Sequence, residues 1–178
     1  MRIIQVQSPN FSKSTYKKTG VQIHKTLGTN SLAELTTRGT NVSAHFLISR
    51  DGTTYQLVSL DDRSWSSGRI SGPSDRGKAG MLKKWGLWVK PGHYWVQVEF
   101  EAKADETFTV EQYQSFKEIV PRLGFDVDGS NLFTHKDTAS YKPNLEVERT
   151  ELLKYLNKEP VKTKQDIKEE IIRLVNSL

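Results

Sequence analysis

Apolar and polar residues alternate along four short stretches of the chain, which is the pattern of half-buried β-strands. Asp51 and Gly52 stand between the second and third stretches, and an Asp-Gly pair in that setting predicts a β-hairpin. The four stretches are residues 21–26 (VQIHKT), 43–49 (SAHFLIS), 53–60 (TTYQLVSL) and 93–102 (HYWVQVEFEA).

Two other stretches have apolar residues at the spacing of an α-helix. Residues 31–38 (SLAELTTR) predict a short helix with Ser31 as its N-cap, and residues 146–156 (EVERTELLKYL) predict a helix that closes the domain. Strands and helices mixed in this order predict an α/β fold in which helices flank a central mixed β-sheet.

A third helix is predicted over residues 109–124 (TVEQYQSFKEIVPRLG). Thr109 and Gln112 have the spacing of a capping box, and Gly124 ends the pattern. One face of this helix is expected to lie on the sheet. The residues of that face are Val110, Tyr113, Phe116 and Ile119.

The composition changes near the C-terminus, which divides the chain into a domain of residues 1–157 and a tail of residues 158–178. Thr163 and Asp166 can cap an extra C-terminal helix in this tail. We interpret the helix as a docking element or as a site of homo-oligomerisation; the mixed charge of its polar face disfavours a membrane-surface helix. Its apolar stripe consists of Ile167, Ile171, Leu174 and Leu178.

The charge balance limits the choice of partners. The net charge of +5 and the sequence pI of about 9.3 fit an anionic partner, either nucleic acid, a membrane surface or an acidic polymer, and they also fit plain solubility. No recognition-helix, RNA-recognition or zinc-finger pattern accompanies the charge, so nucleic-acid binding is not expected. The chain contains no cysteine, which excludes thiolates as metal ligands and nucleophiles.

The sequence predicts synthesis in the cytoplasm. No apolar run is long enough to span a bilayer, so no transmembrane segment is expected. The first residues, MRIIQVQSPNF, lack the basic start, long apolar stretch and small-residue cleavage site of a secretory signal. Action outside the cytoplasm would therefore need another exit route.

Residues 66–92 fit no helix or strand pattern. This segment holds six of the twelve glycines, and it has six lysine or arginine residues against a single acid, Asp75. Long loops without secondary structure are uncommon in compact domains and are often functional. The basic side chains beside Trp85 and Trp88 suit an anionic, partly apolar ligand; an insertion without a role is the alternative.

Two of the four histidines, His24 and His135, follow apolar runs that could be neighbouring strands. Neutral imidazoles suit zinc, and a catalytic zinc site takes three protein ligands and leaves a fourth position to water. The third ligand would have to be Asp, Glu or a weaker donor, because cysteine is absent. We interpret His45 and His93 as hydrogen-bonded structural residues.

These residues stand in an order that resembles the zinc-dependent N-acetylmuramoyl-L-alanine amidases, a family that includes phage lysozyme-type amidases and peptidoglycan recognition proteins. The resemblance runs from about residue 21 to residue 156. The IHHT-like strand end of the family, which carries its first zinc ligand, is matched by Ile23-His24-Lys25-Thr26. The second ligand opens an H-x-D segment, matched by His135-Lys136-Asp137. The family core of VSAHFLI, RDGT and YQLV is matched by residues 42–48, 50–53 and 55–58, respectively. Residues 64–68 match the AWHAG segment with its histidine replaced, and residues 96–99 match the SIGIE strand.

The resemblance implies an amidase-like or peptidoglycan-recognition-like fold and the hydrolysis of the amide between N-acetylmuramic acid and L-alanine. It implies that His24 and His135 bind zinc, that Glu99 is the base that activates water, and that Lys142 faces the oxyanion. Peptidoglycan or a muropeptide is the expected partner. The expected substrate-binding residues are Lys25, Trp65, Arg69 and Trp88.

The sequence departs from the family after His135. The family continues to K-x-D-P-G or K-x-C-P-G, in which the Asp or Cys is the third zinc ligand, whereas this chain has Lys142-Pro143-Asn144. Asn144 therefore occupies the third ligand position, and a neutral amide oxygen is a poorer zinc donor than a carboxylate or thiolate. Glu146, two residues later, is an alternative donor if the loop shifts.

Two interpretations follow from this departure. The chain is either a zinc amidase, such as a phage endolysin released through a holin pore or a cytoplasmic recycling amidase, or a peptidoglycan-binding module without catalysis, such as a phage structural component.

Overall fold

The computed structural model describes residues 2–28, 30–79, 90–158 and 172–173. A main sheet of six strands forms the centre of the domain, and β2 (Phe11–Lys13) and β6 (Asp62–Ser64) form a separate antiparallel pair. The strands of the main sheet are β1 (Ile3–Gln5), β3 (Gly20–Lys25), β4 (Phe46–Ile48), β5 (Thr54–Gln56), β7 (Trp95–Phe100) and β8 (Leu132–Thr134).

The main sheet is mixed, as the sequence predicts, and its strand order is β1-β5-β4-β7-β3-β8. β4 and β5 pair antiparallel, while the other neighbouring strands pair in parallel. The predicted hairpin is confirmed: the Gly52 N–H donates to the Ser49 carbonyl, and Gly52 has φ +83°. A side chain at that φ would be strained, which explains the Asp-Gly pair.

Helices flank this sheet. α1 (Ser31–Thr36), α3 (Val110–Ile119) and α4 (Glu146–Asn157) correspond to the three predicted helices, and α2 (Asp75–Gly77) is a single turn within the 66–92 segment. Ser31 is the first helical residue, and its hydroxyl donates to the Gly28 carbonyl, so the prediction that Ser31 is the N-cap is wrong. Short 3-10 turns lie at Pro91–His93, Val120–Arg122 and His135–Asp137.

The capping box predicted for α3 is present, with Thr109 accepting from the Gln112 N–H and the Gln112 side chain accepting from the Thr109 N–H. The predicted buried face needs one correction, because Val110 is 61% exposed. Gln112 is buried in its stead, and its amide donates to the carbonyls of Ile48 and Glu101 at the ends of β4 and β7. This contact sets the rotation of the helix and turns Val110 towards solvent.

One face of the main sheet carries the principal hydrophobic core. Alternate residues of the central strands point to this face, where α3 and α4 cover them. At about 25 cal/mol per Å², the burial of these apolar side chains is the main driving force for folding. The largest contributors include Ile23, Phe46, Val98, Phe100, Phe116, Ile119, Leu132 and Leu152.

The opposite face of the sheet is divided into two apolar clusters with a polar strip between them. Leu35, Leu47 and Leu57 form one cluster under α1. In the other, Trp95 stacks on Phe133 with ring centroids 3.9 Å apart. The buried polar side chains of the strip lie on the central strands β3 and β7.

Part of the sequence predictions lies outside the described residues. These include Trp85, Trp88 and all but two residues of the extra C-terminal helix of the 158–178 tail, so the division at residue 157 stays a prediction. Within the described ranges, every helix is too short or too polar to cross a membrane.

His45 is a structural histidine, in agreement with the sequence interpretation. It is fully buried, its Nδ1 accepts from the Gln97 N–H at 2.9 Å, and its Nε2 lies 3.0 Å from the Asp62 carbonyl. The first contact makes Nδ1 the acceptor, so Nε2 carries the proton. His45 thereby joins the main sheet to the β2–β6 pair.

Burial, with a smaller contribution from the positive charge of Lys18, lowers the pKa of His45 from 6.5 to about 3. The unfolded chain therefore takes up a proton at this residue below pH 6.5, whereas the folded chain resists protonation until about pH 3. The stability contributed by neutral His45 is consequently lost as the pH falls through that window, by an amount on the order of a few kcal/mol.

We predict that His45→Gln makes the free energy of unfolding less dependent on pH between 7 and 4, although it lowers stability at pH 7. Urea unfolding of both proteins at pH 7, 5.5 and 4.5 with a metal chelator measures the difference, since His24 and His135 contribute equally to both. Parallel pH profiles for the two proteins would contradict the role given to His45.

Candidate active site

Three parallel strands end side by side at the candidate site. β3 lies between β7 and β8, and the register pairs His24 with Glu99 and pairs Ile23 with Thr134. His135, which follows Thr134, is therefore next to His24 on the other side. Side chains at the carboxyl ends of adjacent parallel strands converge on one edge of the sheet, where ligands bind in open α/β folds.

The two imidazoles meet, as the sequence predicts. The Nδ1 atoms of His24 and His135 are 2.9 Å apart, and the ring centroids are 4.4 Å apart with the planes at 71°. On the far side of its ring, His24 places Nε2 2.7 Å from Oε1 of Gln97. Because the Gln97 oxygen is an acceptor, Nε2 of His24 carries the proton and Nδ1 presents its lone pair towards His135.

Gln97 belongs to a buried hydrogen-bond network beneath the histidines. Its Oε1 also accepts from the Ser67 hydroxyl at 2.7 Å, and its Nε2 donates to the Trp95 carbonyl at 3.2 Å. The Ser67 hydroxyl also contacts Oε1 of Gln22, whose amide donates to Thr138 Oγ1 and to a backbone carbonyl of β8. These contacts fix which end of the Gln97 amide faces His24.

Both histidines are neutral at pH 7. Burial lowers the pKa of His24 to about 4 and is also the largest cause that lowers the pKa of His135. The positive charge of Lys142 acts in the same direction on each. A neutral imidazole is the form that binds a metal ion.

Glu99 places a carboxylate beside this pair. Its Oε1 lies 3.9 Å from Nδ1 of His24, and its side chain is 12% exposed. Burial raises the pKa of Glu99 to about 8; the charge of Glu34 adds to this effect and Lys142 opposes it. At pH 7 such a carboxyl is mostly protonated, and in its ionised fraction it is a stronger proton acceptor than a solvated carboxylate, as a general base requires.

A cavity of about 200 Å³ contains these groups and Lys142. Leu27 lies at its rim, half-exposed and with φ +61°, a conformation that is strained for a leucine. The remaining lining residues are Lys25, Thr26, Ser31, Glu34, Leu35, Val42 and Ser66.

The structure does not bring Asn144 to the histidines. Asn144 is exposed, its Oδ1 lies 3.3 Å from the Glu146 N–H, and it lines a separate cavity of about 330 Å³. In this structure the Asn144 amide oxygen contacts the N-terminus of α4, and its role as third metal ligand stays a prediction. Glu146, the alternative donor, is bound by Arg76.

Among the described residues, two side chains are placed to bind a single zinc ion. The convergent Nδ1 atoms of His24 and His135 suit a shared cation. The Gln97 oxygen contacts Nε2 of His24 and so orients that ring, as hydrogen-bond partners of metal-binding histidines do. Within the described ranges, no third His, Asp or Glu completes a metal-binding cluster with them. A zinc ion held by His24 and His135 alone would depart from the three-ligand pattern of catalytic sites.

Lys25 lines the histidine cavity but its ammonium group is engaged elsewhere. Nζ lies 3.2 Å from Glu148 Oε1 and also contacts the Glu106 carbonyl, and both side chains of the ion pair are 6% exposed. Lys25 therefore joins β3 to α4, and its role in substrate binding stays a prediction. Removal of one partner from such a buried pair would leave an uncompensated charge.

Trp65 and Arg69 line a third cavity, of about 400 Å³, together with Arg63 and Lys90. The indole N–H of Trp65 donates to the Ser12 hydroxyl at 2.9 Å. Ser67 lines this cavity as well, and its hydroxyl reaches the network beneath His24. The two predicted substrate-binding residues thus lie next to the histidine cavity and not within it.

Sequence reasoning missed Gln97 and Ser67. One signal was available for Gln97, because it stands two residues before Glu99 on the same strand face. Ser67 lies in the segment that replaces AWHAG, where the sequence offers no sign that its hydroxyl is buried.

We predict that Gln97→Leu weakens zinc binding about tenfold to a hundredfold, because His24 loses the partner that fixes its tautomer and orientation. Competition with a chromophoric chelator measures the zinc affinity, and circular dichroism checks the fold. As a matched control, Gln114→Leu alters an exposed glutamine of α3 that contacts Glu118. Equal zinc affinities for the two variants would contradict the assignment.

We predict that Asn144→Asp changes zinc affinity by less than about threefold, because this side chain faces the N-terminus of α4 and a different cavity. The same chelator competition measures the effect. A gain of about tenfold or more would show that the loop can turn residue 144 towards the histidines, since an anionic ligand raises zinc affinity.

Comparisons with known proteins bear on this geometry. The family model described as N-acetylmuramoyl-L-alanine amidase matches residues 14–144. No curated protein sequence matches the chain.

Solved structures with a similar fold include a selenomethionine derivative of AmpD, with 20% identity, a TM-score of 0.62 and coverage of 85% of this chain and 93% of that chain. PlyL has 16% identity and a TM-score of 0.61, with coverage of 90% and 100%. A mutant endolysin from Bacillus subtilis has 17% identity and a TM-score of 0.59, with coverage of 88% and 99%. At these identities the similarity confirms the predicted amidase-like fold. Because the family model spans most of its length, this chain belongs to the N-acetylmuramoyl-L-alanine amidase family.

Proposed function

We propose that this chain hydrolyses the amide bond between N-acetylmuramic acid and L-alanine in peptidoglycan, with zinc held by His24 and His135. The observation that carries the proposal is the convergence of two neutral imidazoles beside a carboxylate and an ammonium group in one cavity. Membership of the amidase family supports the reaction, and the geometry supports the residues.

The chemistry can be divided among the side chains of the cavity. Zinc supplies Lewis-acid chemistry when bound: it makes water more acidic and polarises a carbonyl oxygen. Glu99 accepts the proton of the attacking water and returns it to the leaving amine. Lys142 faces the carbonyl oxygen as negative charge develops on it, a contribution of about 3 kcal/mol where single donors of this kind have been removed.

A second candidate function is peptidoglycan binding without catalysis. The observation that favours it is Asn144, a neutral residue that stands where the family has an anionic ligand and that lines a different cavity from the histidine pair. Two imidazoles alone bind zinc more weakly than two imidazoles with a carboxylate. The two functions differ in whether bound peptidoglycan is cleaved.

We further propose a role in cell-wall lysis. The similarity to endolysins, one of which is the Bacillus subtilis protein, supports a lytic role, and the similarity to AmpD is of the same extent. The basic charge of the chain suits an anionic cell-wall polymer.

We predict that the purified chain releases new N-terminal L-alanine from peptidoglycan, that a chelator abolishes this release and that zinc restores it. Glu99→Gln should lower kcat about 10²-fold to 10⁴-fold, because it removes the proton acceptor. His24→Ala should abolish both cleavage and zinc retention. End-group analysis of the digest measures the reaction.

His93→Ala is the matched control, because His93 contacts Ser14 and Tyr16 and lies outside the cavity. Peptidoglycan that is bound in a sedimentation assay but never cleaved, at any zinc concentration, would refute the hydrolase and establish the binding module.

A further inference from the structure

The segment that contains α2 is attached to the turn that carries His135. The Ser71 N–H donates to the Thr138 carbonyl at 2.7 Å, and the Ser140 N–H donates back to the Ser71 carbonyl at 2.9 Å. Gly77 lies so close that a Cβ there would be 1.9 Å from the Asp137 carbonyl oxygen. This part of the 66–92 loop is therefore packed against the residues that immediately follow β8.

Arg76 makes the strongest part of this attachment. Its Nε and Nη2 donate to Oδ2 of Asp137 at 3.1 and 2.9 Å, and its Nη1 donates to Oε2 of Glu146 at 3.1 Å. Nη2 also contacts Oε1 of Glu146. A guanidinium can bridge two carboxylates in this way because it is planar and its donors are fixed in direction.

The two carboxylates lie at the two ends of the loop of residues 138–145. Asp137 is 2% exposed, and it accepts from the Thr134 N–H at 2.7 Å as well, so it holds the turn at the end of β8. Glu146 is the first residue of α4. Arg76 thus bridges the residues at the two ends of the loop of residues 138–145. Burial of the Asp137 carboxylate would cost free energy without the positive charge of Arg76.

The loop of residues 138–145 carries Lys142 into the histidine cavity. Within the loop, the Lys142 N–H donates to the Ala139 carbonyl at 3.0 Å, and Lys142 lines the cavity with His24, Glu99 and His135. Arg76 itself lines the neighbouring cavity and not this one. Any influence of Arg76 on the chemistry must therefore pass through Asp137 and Glu146.

We propose that Arg76 is a positioning residue of the active site, which fixes His135 and Lys142 by bridging Asp137 to Glu146. The proposal rests on the proposed function, because it concerns the orientation of one metal ligand and of the oxyanion donor. It also gives one basic residue of the 66–92 segment a role within the protein, because Arg76 positions residues of the active site.

The test compares Arg76→Gln and Arg76→Lys in the full chain, with zinc affinity, kcat and KM as readouts at a temperature well below each melting point. Arg76→Gln should weaken zinc binding about tenfold and lower kcat at least tenfold, with KM within about threefold, as expected for loss of an outer partner of a ligand. Arg76→Lys should restore part of kcat, because it keeps the charge but not the fork.

Arg50→Gln is the matched control, because Arg50 forms a surface ion pair with Glu106 and donates to the Thr107 carbonyl, outside this network. It should leave zinc affinity and kcat unchanged. If Arg76→Gln does not fold, Glu146→Gln loosens only the α4 side of the bridge and should lower kcat by a smaller factor.

Three outcomes would overturn the proposal. In the first, Arg76→Gln has the same zinc affinity and kcat as the control Arg50→Gln. In the second, Arg76→Gln raises KM and changes nothing else. In the third, Arg76→Gln does not fold and Glu146→Gln leaves kcat unchanged. Failure of the proposed function is recognised separately. If His24→Ala retains zinc, the metal site itself is wrong, whatever Arg76 does.

Discussion

The candidate active site depends on the parallel pairing of β3 with β7 on one side and β8 on the other. This register sets His24 level with Glu99 and next to the residue that follows β8, and each of the three side chains comes from a different part of the chain. A shift of one residue in either pairing would turn the partner side chain to the opposite face of the sheet. The hydrophobic face opposite the site specifies the register, because the same shift would expose Ile23 and Val98.

The polar strip beneath the histidines is the less usual part of the structure. Gln22, Gln97 and Ser67 are buried between two apolar clusters, where unpaired polar groups would be costly. Their mutual hydrogen bonds and those to His24 satisfy them within the described residues, so the strip is stable only in this arrangement. The same bonds that remove the cost of burial orient the imidazole, so packing and function share one network.

The sequence predicts much of the fold and the centre of the site, because both follow from local patterns. The alternation of apolar and polar residues and the spacing of a capping box are local patterns. Two histidines at the ends of strands meet whenever those strands are neighbours in the sheet. The rotation of α3 depends on the contact of Gln112 with two distant carbonyls, which no local pattern encodes. The directions of the Lys25 and Asn144 side chains were not predictable for a similar reason: each is set by a partner on or at the start of α4.

The position of β8 has a consequence for synthesis. It is an edge strand and, among the residues that the structure describes, the last strand of the sheet in sequence, and it pairs only after residues 132–134 have left the ribosome. A growing chain that already contains β3 and β7 therefore has one imidazole and the carboxylate but lacks the second imidazole and the ammonium group. The pairing is also long-range in sequence, and such contacts form late because loop closure opposes them. If the proposed site is correct, a chain that ends before β8 would have no amidase activity, and activity would arise only when the domain is complete.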